Sequence, residues 1–586
     1  MRKLILAAAL AGCALSPIAA QAQQAPRQNS PQQAAPQQAA LSPAERSDPA
    51  AAAIDADQIA ATVTFLADDL LQGRDTGSEY YDIAAAYVAS RYMAMGLQPA
   101  NGDSFMQDIV FRSTTAGDAA LSYAAGDETV QLEAGKDFVV TGSYADRQVD
   151  LTAPMVFVGQ GIHSPENGID DYAGVDVAGK IVVVVSGAPK GLPGEIASTL
   201  ANTKTEYASQ QGAVGMISIR NLESLERMSF DKLATYLQEP RETWVGPDGK
   251  ANVADPNLRF SAYLSPDAAA RLIAASGHDL QDMLETYDDA KAKTRPAAFD
   301  LAGTASVSVA SEWEDKTSAN VVAMLPGSDP ALAGEYVVMS AHLDHVGNHL
   351  SDAAEGDAAE GEETDTIYNG AMDNATGVAT MLEVARVIAM GPNRPRRPIL
   401  FAAVTAEEKG LLGSEYLAKN FVRDDGEPVG VVNFDMPILL YDLADVVGFG
   451  AENSTMGQTL IRAGASTGIG VSPDFLPEEN LFTRSDHYSF VKEGVPALFL
   501  MTGVQNGGKE AFTNFLGTNY HKPTDDLTQD LNWESARKFA LLNYQIVKLT
   551  ANADERPMWY EGNYFGDNFA PDAPRAPALA ASPAAK

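Results

Sequence analysis

Ile399-Leu400-Phe401-Ala402-Ala403-Val404-Thr405-Ala406-Glu407-Glu408 is an apolar run that ends on two adjacent carboxylates. A continuous apolar run of this length reads as a strand buried on both faces. A solvated turn or an acidic helix N-terminus would account for the glutamates. The same ending recurs, however: Tyr336-Val337-Val338-Met339 leads to His342-Leu343-Asp344, and Val431-Val432-Asn433-Phe434 leads to Asp435. Longer helical patterns alternate with these strands, over 54–71, over 81–95 before Gly96, and over 378–390. The alternation predicts an α/β protein with a mixed, mostly parallel central sheet flanked by helices. In such sheets ligands lie outside the carboxyl ends of the strands, so the three endings should meet in one crevice.

Two more metal-capable residues lie on connections, Asp373 just before the 378–390 helix and His521 after a Gly-rich loop. The set His342, Asp373, Glu408, Asp435 and His521 is all imidazole and carboxylate, which suits zinc in a catalytic site. Five ligands exceed what one zinc needs. With one carboxylate bridging, two zinc ions each take three protein ligands and keep a position open, as in two-metal hydrolases. Without cations, so many carboxylates in one crevice would be costly. Glu407 and Glu408 diverge at the strand end, so one can bind metal while the other serves as general base; their spacing does not choose between them. Asp344, two residues past His342, is placed to accept the other N–H of a ligating imidazole. Taken singly, Asp344 and Asp373 read as turn or cap residues; convergence of several strand ends favours the metal reading.

The series AHLDH (341–345), NGAMDNATG (369–377), TAEEKGLLGS (405–414), NFDMP (433–437), RSDHYSF (484–490) and NYHKPTDD (519–526) resembles the co-catalytic zinc aminopeptidases of metallopeptidase clan MH, family twenty-eight. The resemblance is weak over 51–147 and strong over 301–550. It implies the phosphorylase/hydrolase-like zinc exopeptidase fold and release of N-terminal residues from peptides. It also implies one zinc held by His342, Asp373 and Asp435 and another by Asp373, Glu408 and His521, with Asp373 bridging. Glu407 matches the family's general base, and Tyr520 matches a tyrosine that stabilises the tetrahedral intermediate. The chain departs from the pattern at Met372, where many members carry an acid, and in an acidic insertion over 351–365.

The remaining histidines read blandly. His345 and His349 are expected to be exposed or packed in a loop, and His163 and His278 to be surface or helix-end residues. Arg484 and His487 stand open between a substrate-pocket role and structural hydrogen bonds.

The 586 residues are too many for one core, and 41 Lys plus Arg against 78 Asp plus Glu give a formal charge of -37. That balance repels polyphosphate and excludes nucleic acid as a partner. The basic start, short apolar run and Ala20-Gln21-Ala22 read as an export signal over 1–22, placing the protein in the periplasm or outside the cell. Leu10-Ala11-Gly12-Cys13 also resembles a lipobox, which would make Cys13 a lipid anchor; the shortness of the preceding apolar run favours cleavage after Ala22. No later stretch reaches the length of a membrane span. Residues 23–50 read as a disordered linker and 554–586 as a largely flexible C-terminal extension.

Composition shifts near Asp150. Strand patterns over 155–158, 181–185 and 215–219 with a helical stretch near 207–211 predict a smaller, β-rich α/β insert over 148–297. Gly179-Lys180-Ile181-Val182 and Gly212-Ala213-Val214-Gly215 resemble a protease-associated domain. The peptidase domain would then be discontinuous, 51–147 and 298–553.

Other functions compete. A carboxypeptidase or dipeptidase of the same clan needs a cationic pocket, and near the motifs only Lys409, Arg484 and Lys522 offer one. A glutaminyl-cyclase-like transferase would use a single zinc, and an inactive binding protein would not need all five ligands and the base.

Overall fold

The computed structural model describes residues 42–291, 295–349 and 365–578. Ala497–Thr502, Glu427–Phe434, Glu335–His342 and Ile399–Val404 lie side by side and parallel. Asp445–Phe449 runs antiparallel on one flank and Phe299–Leu325 antiparallel on the other. Ile399–Val404 and Ala497–Thr502 are buried at every position. Such strands need cover on both faces, and helices supply it. Among these helices, Thr376–Met390 is buried over most of its length and Trp533–Asn552 packs against it. This is the mixed, mostly parallel sheet with flanking helices that the sequence predicts.

The helices begin and end where local chemistry dictates. Asp55 accepts from the backbone N–H of Asp57 at the start of Ala56–Leu66, and Ser78 caps Glu79–Ala94 by accepting from Tyr81. Gly96, at φ 73, then turns the chain into the left-handed region that halts a helix.

Two unusually long strands, Met106–Ala125 and Phe299–Leu325, pair antiparallel from Ala305↔Tyr123 to Val321↔Met106. They carry the sheet out of this first half into a second unit, where Gln148–Phe157, Ile181–Val185, Gly215–Ile219 and Ser261–Leu264 run parallel. In the Ile181–Val185 run the odd residues enter one hydrophobic core and Val182 and Val184 enter another. That is the period of two expected of a strand buried on both faces.

The larger core of this unit takes in Leu121, Tyr123, Phe138 and Val140, and also Leu301, Val307 and Val309. It therefore extends beyond 148–297 at both ends. A boundary that runs along a continuous ladder leaves no flexible linker for composition to reveal.

Both ends of the fold are also longer than expected. Within the predicted 23–50 linker, Pro43–Ser47 is helical, Ala44 and Ala50 are buried, and Asp48 accepts from the Tyr544 hydroxyl at 2.6 Å and pairs with Lys548. Within the 554–586 extension, Trp559 is buried and its Nε1 donates to the Gly494 carbonyl at 2.8 Å, while Trp559–Tyr560 pairs with Arg575–Ala576. Apolar aromatics in an otherwise Ala- and Pro-rich tail decide the second case, because each buries a large area. The export signal, Cys13, the linker up to residue 41, acidic-insertion residues 351–364 and the last eight residues, 579–586, lie outside the described residues. Among the described residues no helix is long and apolar enough to cross a membrane.

Candidate metal centre

Three of the expected ligands come from the carboxyl ends of adjacent parallel strands. His342 closes Glu335–His342, Asp435 follows Glu427–Phe434, and Glu408 follows Ile399–Val404. Register places His342 beside Val404 and Ser340 beside Asn433, so all three endings lie on one edge of the sheet. Asp373 reaches the same place from the irregular turn before Thr376–Met390, and His521, at φ 50, from the turn after Gly508–Thr518.

Asp373 faces two ways. Its Oδ1 lies 3.2 Å from His342 Nε2, which is also 3.2 Å from Asp435 Oδ1. Its Oδ2 lies 3.2 Å from His521 Nε2, which is 3.1 Å from Glu408 Oε2. Two ligand atoms on one tetrahedral zinc sit about 3.3–3.6 Å apart, given bonds of ~2.0–2.2 Å. The four histidine–carboxylate distances are near that spacing.

The surrounding hydrogen bonds fix the ligand atoms. His342 Nδ1 donates to the backbone carbonyl of Asp344 at 3.1 Å, since a carbonyl can only accept. Nε2 is thereby turned toward Asp373 and Asp435 and is the nitrogen a metal would take. Here the expectation for Asp344 is corrected: its carbonyl, not its carboxylate, meets the imidazole, because an extended segment turns the side chain of Asp344 toward the neighbouring strand end. The carboxylate instead accepts from the backbone N–H of Glu407 at 3.2 Å, of Glu408 at 3.3 Å, and from the Thr76 hydroxyl at 3.1 Å. Burial pushes the Asp344 carboxyl up to about 6. Asp435 is held at its other oxygen by Ser485 at 2.6 Å, with Asn433 donating to Ser485 and Ser340 to Asn433.

His345 is a second correction. It is fully buried, and its Nδ1 lies 2.7 Å from Glu408 Oε1, so it orients the carboxylate whose other oxygen faces His521. His345, Asp373 and Glu408 also present ligand atoms within 4.8 Å of one another. His349, beside the Tyr368 ring, is packed in a loop as expected. His163 and His278 stack on Tyr207 and Phe299, far from this chemistry in the chain.

Two supporting residues escape sequence reading. The buried Arg74 guanidinium donates to the carbonyls of Leu343 at 3.0 Å, Asn369 at 2.6 Å and Gly370 at 3.2 Å, and to Leu66, tying the His342 segment to the Asp373 turn. Asp525 accepts from the backbone N–H of Met372 and of Asp373, each at 3.0 Å. Met372 itself is buried, which explains an apolar residue there. Arg74 had no strand ending to announce it; a lone Arg in a Gly-rich turn was the only signal.

Glu407 is half-buried and Glu408 buried. Burial drives Glu407 well above the ordinary carboxylate range; His342 opposes this, and Glu408 and Asp435 add to it. Burial also opposes ionisation of Glu408, but His521 and His345 outweigh it and hold that carboxyl at about 2. The two neighbouring carboxyls are thus pushed in opposite directions. Ala406, just before them, sits at φ 55, a left-handed conformation that costs an alanine about 1–2 kcal/mol. Tyr520 stacks on His521 at 3.9 Å between ring centres, and burial with Asp373 and Glu408 keeps its phenol protonated. Arg484 bonds the Glu479 backbone and carboxylate, each at 3.2 Å. His487 lies buried between Phe482 and Phe499, where burial pushes it to about 3, so it is a neutral core residue.

Residues 320–547 match Peptidase family M28. That match takes in His342, Asp373, Glu407, Glu408, Asp435 and His521. Relatives of the chain include leupeptin-inactivating enzyme 1 of Streptomyces exfoliatus, 27% identical over 278 residues, 45% of this chain and 55% of that protein. Probable leucine aminopeptidase 2 of Aspergillus fumigatus is 27% identical over 262 residues, 41% of this chain and 47% of that one. The chain thus spans about half the length of these curated relatives. Among solved structures, an aminopeptidase from Aneurinibacillus sp. strain AM-1 aligns at 20% identity and TM-score 0.46, covering 88% of this chain and 97% of that one. The match to that family implies zinc, and a donor set made wholly of nitrogen and oxygen fits it.

Proposed function

We propose that this chain is an exported dizinc aminopeptidase that hydrolyses N-terminal residues from peptides, with Glu407 as general base. The observation that carries the reading is Asp373, whose two carboxylate oxygens face separate histidine–carboxylate pairs. His342, Asp373 and Asp435 would hold one zinc, and Asp373, Glu408 and His521 the other. Zinc held there supplies positive charge that polarises a carbonyl, acidifies water and draws Glu407 down from the protonated state that burial imposes.

The side chains carry the rest. Glu407 takes a proton from the attacking water and returns it to the leaving amine. The Tyr520 hydroxyl donates to the oxygen that becomes anionic in the tetrahedral intermediate. Asp344 fixes Glu407 through the backbone, and Asp525 fixes Asp373 in the same way.

An aminopeptidase is favoured over a carboxypeptidase because the nearby cations are engaged. Lys409 pairs with Asp75 at 2.8 Å, Arg484 with Glu479 at 3.2 Å, and Lys522 donates to the Gly517 carbonyl at 2.8 Å. An acid-rich crevice attracts a substrate amine and repels a carboxylate. The second unit, read as a protease-associated domain, belongs to the same proposal.

The test pairs elemental analysis with substrate profiling. Two zinc ions per chain are expected, with cleavage of aminoacyl reporters, none of their N-acetylated forms, and loss of activity on chelation. One zinc per chain with cyclisation of N-terminal glutamine, or release of C-terminal residues, would overturn the reading.

A further inference from the structure

The turn that carries Glu407 and Glu408 packs with a residue far away in the chain, Trp244. Trp244, in the strand Arg241–Val245, lies within the segment expected as the insert, yet that strand pairs with the peptidase end of Met106–Ala125 through Trp244↔Phe111. Its ring joins Ile109, Phe111, Ala406 and Leu412 in a small buried cluster and meets the Tyr416 ring edge-on at 5.2 Å. Ala406 and Leu412 are the two ends of the glutamate turn, closed on each other by the Leu412 N–H to Ala406 carbonyl bond at 3.0 Å. Trp244 therefore shares one buried cluster with both feet of that turn.

A polar contact reinforces the packing. Glu415, on the helix Leu412–Lys419 that continues the turn, accepts at one oxygen from Trp244 Nε1 at 2.9 Å and from Asn252 Nδ2 at 3.0 Å. Asn252 is locked to the same hairpin, its N–H donating to the Trp244 carbonyl at 2.7 Å and its carbonyl accepting from Thr243 at 2.8 Å. Lys419 takes the other Glu415 oxygen at 2.9 Å. Against this, Ala406 is held in a left-handed conformation that an alanine leaves readily unless its surroundings impose it.

We propose that Trp244 and Asn252 are positioning residues for the general base: the hairpin that carries them braces the Glu407 turn and so sets turnover from outside the crevice. The inference rests on the aminopeptidase reading for its kinetic part and on packing alone for its structural part. Small misplacements of a catalytic group cost up to roughly a hundredfold in rate.

The test uses the full chain. In zinc-loaded Trp244→Ala, kcat is expected to fall about tenfold to a hundredfold with KM within about twofold and zinc content unchanged; Trp244→Phe should recover most of it. In a Glu407→Gln background Trp244→Ala should cost little more, since residues acting as a unit are not additive. Hydrogen exchange of the metal-free protein should show faster exchange at residues 406–412 in Trp244→Ala, with the Glu335–His342 strand unchanged. Multiplicative losses with Glu407→Gln, or unaltered exchange in the turn, overturn the proposal. If Trp244→Ala does not fold, Trp244→Phe combined with Asn252→Ala takes its place, with the same expected exchange change and the same overturning result. Wild-type protein inactive on every aminoacyl reporter would sink the aminopeptidase reading, while exchange in the turn would still decide the brace.

Discussion

The Asp344 carboxylate accepts the backbone N–H of Glu407 at 3.2 Å. It is thus a clamp on the glutamate turn, while its carbonyl alone serves His342. Asp344→Asn keeps the carbonyl and loses one carboxylate acceptor. Turnover should drop about 10- to 100-fold, the usual cost of losing such support, with zinc content retained. Zinc loss in parallel with activity would show that the side chain serves the ligand instead.

Glu407→Gln removes the proposed proton acceptor and leaves the set of His342, Asp373, Glu408, Asp435 and His521 intact. Turnover should fall by about two to four orders of magnitude, with two zinc ions still bound by elemental analysis. Near-normal turnover would remove Glu407 from the mechanism.

Arg74→Met strips a buried guanidinium from four backbone carbonyls. Buried acceptors left without partners cost about 1–3 kcal/mol each before relaxation, so a net loss of about 3 kcal/mol or more is expected in urea unfolding. Arg74→Lys should recover little, because an ammonium cannot reproduce the planar fork. A change below about 1 kcal/mol would contradict this account.

Lys204, in the second unit, donates to the Val185 carbonyl at 2.9 Å, and burial pushes its ammonium down to about 7, with Asp171 as the opposing charge. Between about pH 7 and 10 the unfolded chain binds more protons at this site than the folded one, so stability contributed here rises with pH. Below pH 7 both states hold the proton and the burial cost is borne in full. Lys204→Met should therefore gain most relative to wild type near pH 6 and progressively less toward pH 9, read as paired melting curves. A pH-independent difference would mean the amine is not buried in its charged form.

Trp559→Ala should cost about 3–5 kcal/mol, as for other buried aromatics, although the residue lies in what composition alone reads as a loose tail. Melting temperature of the variant against wild type checks it; a surface-like change would return the 554–578 segment to the periphery.

The sequence by itself determined the sheet, because buried parallel strands must be continuous apolar runs, and it named the candidate ligands, because imidazoles and carboxylates placed at the carboxyl ends of such runs share one edge. Local signals also carried the helix limits at Ser78 and Gly96. Tertiary structure alone decided what depends on direction and on distant partners. Whether Asp344 meets His342 with its carbonyl or its carboxylate turns on side-chain orientation, which spacing leaves open. His345, Arg74 and Trp244 gain their places from residues tens to hundreds of positions away, and burial of a charge or a ring is a property of those neighbours. The division of Glu407 from Glu408 is of the same kind: two identical side chains differ only in the field around them, and that field exists only once the chain has folded.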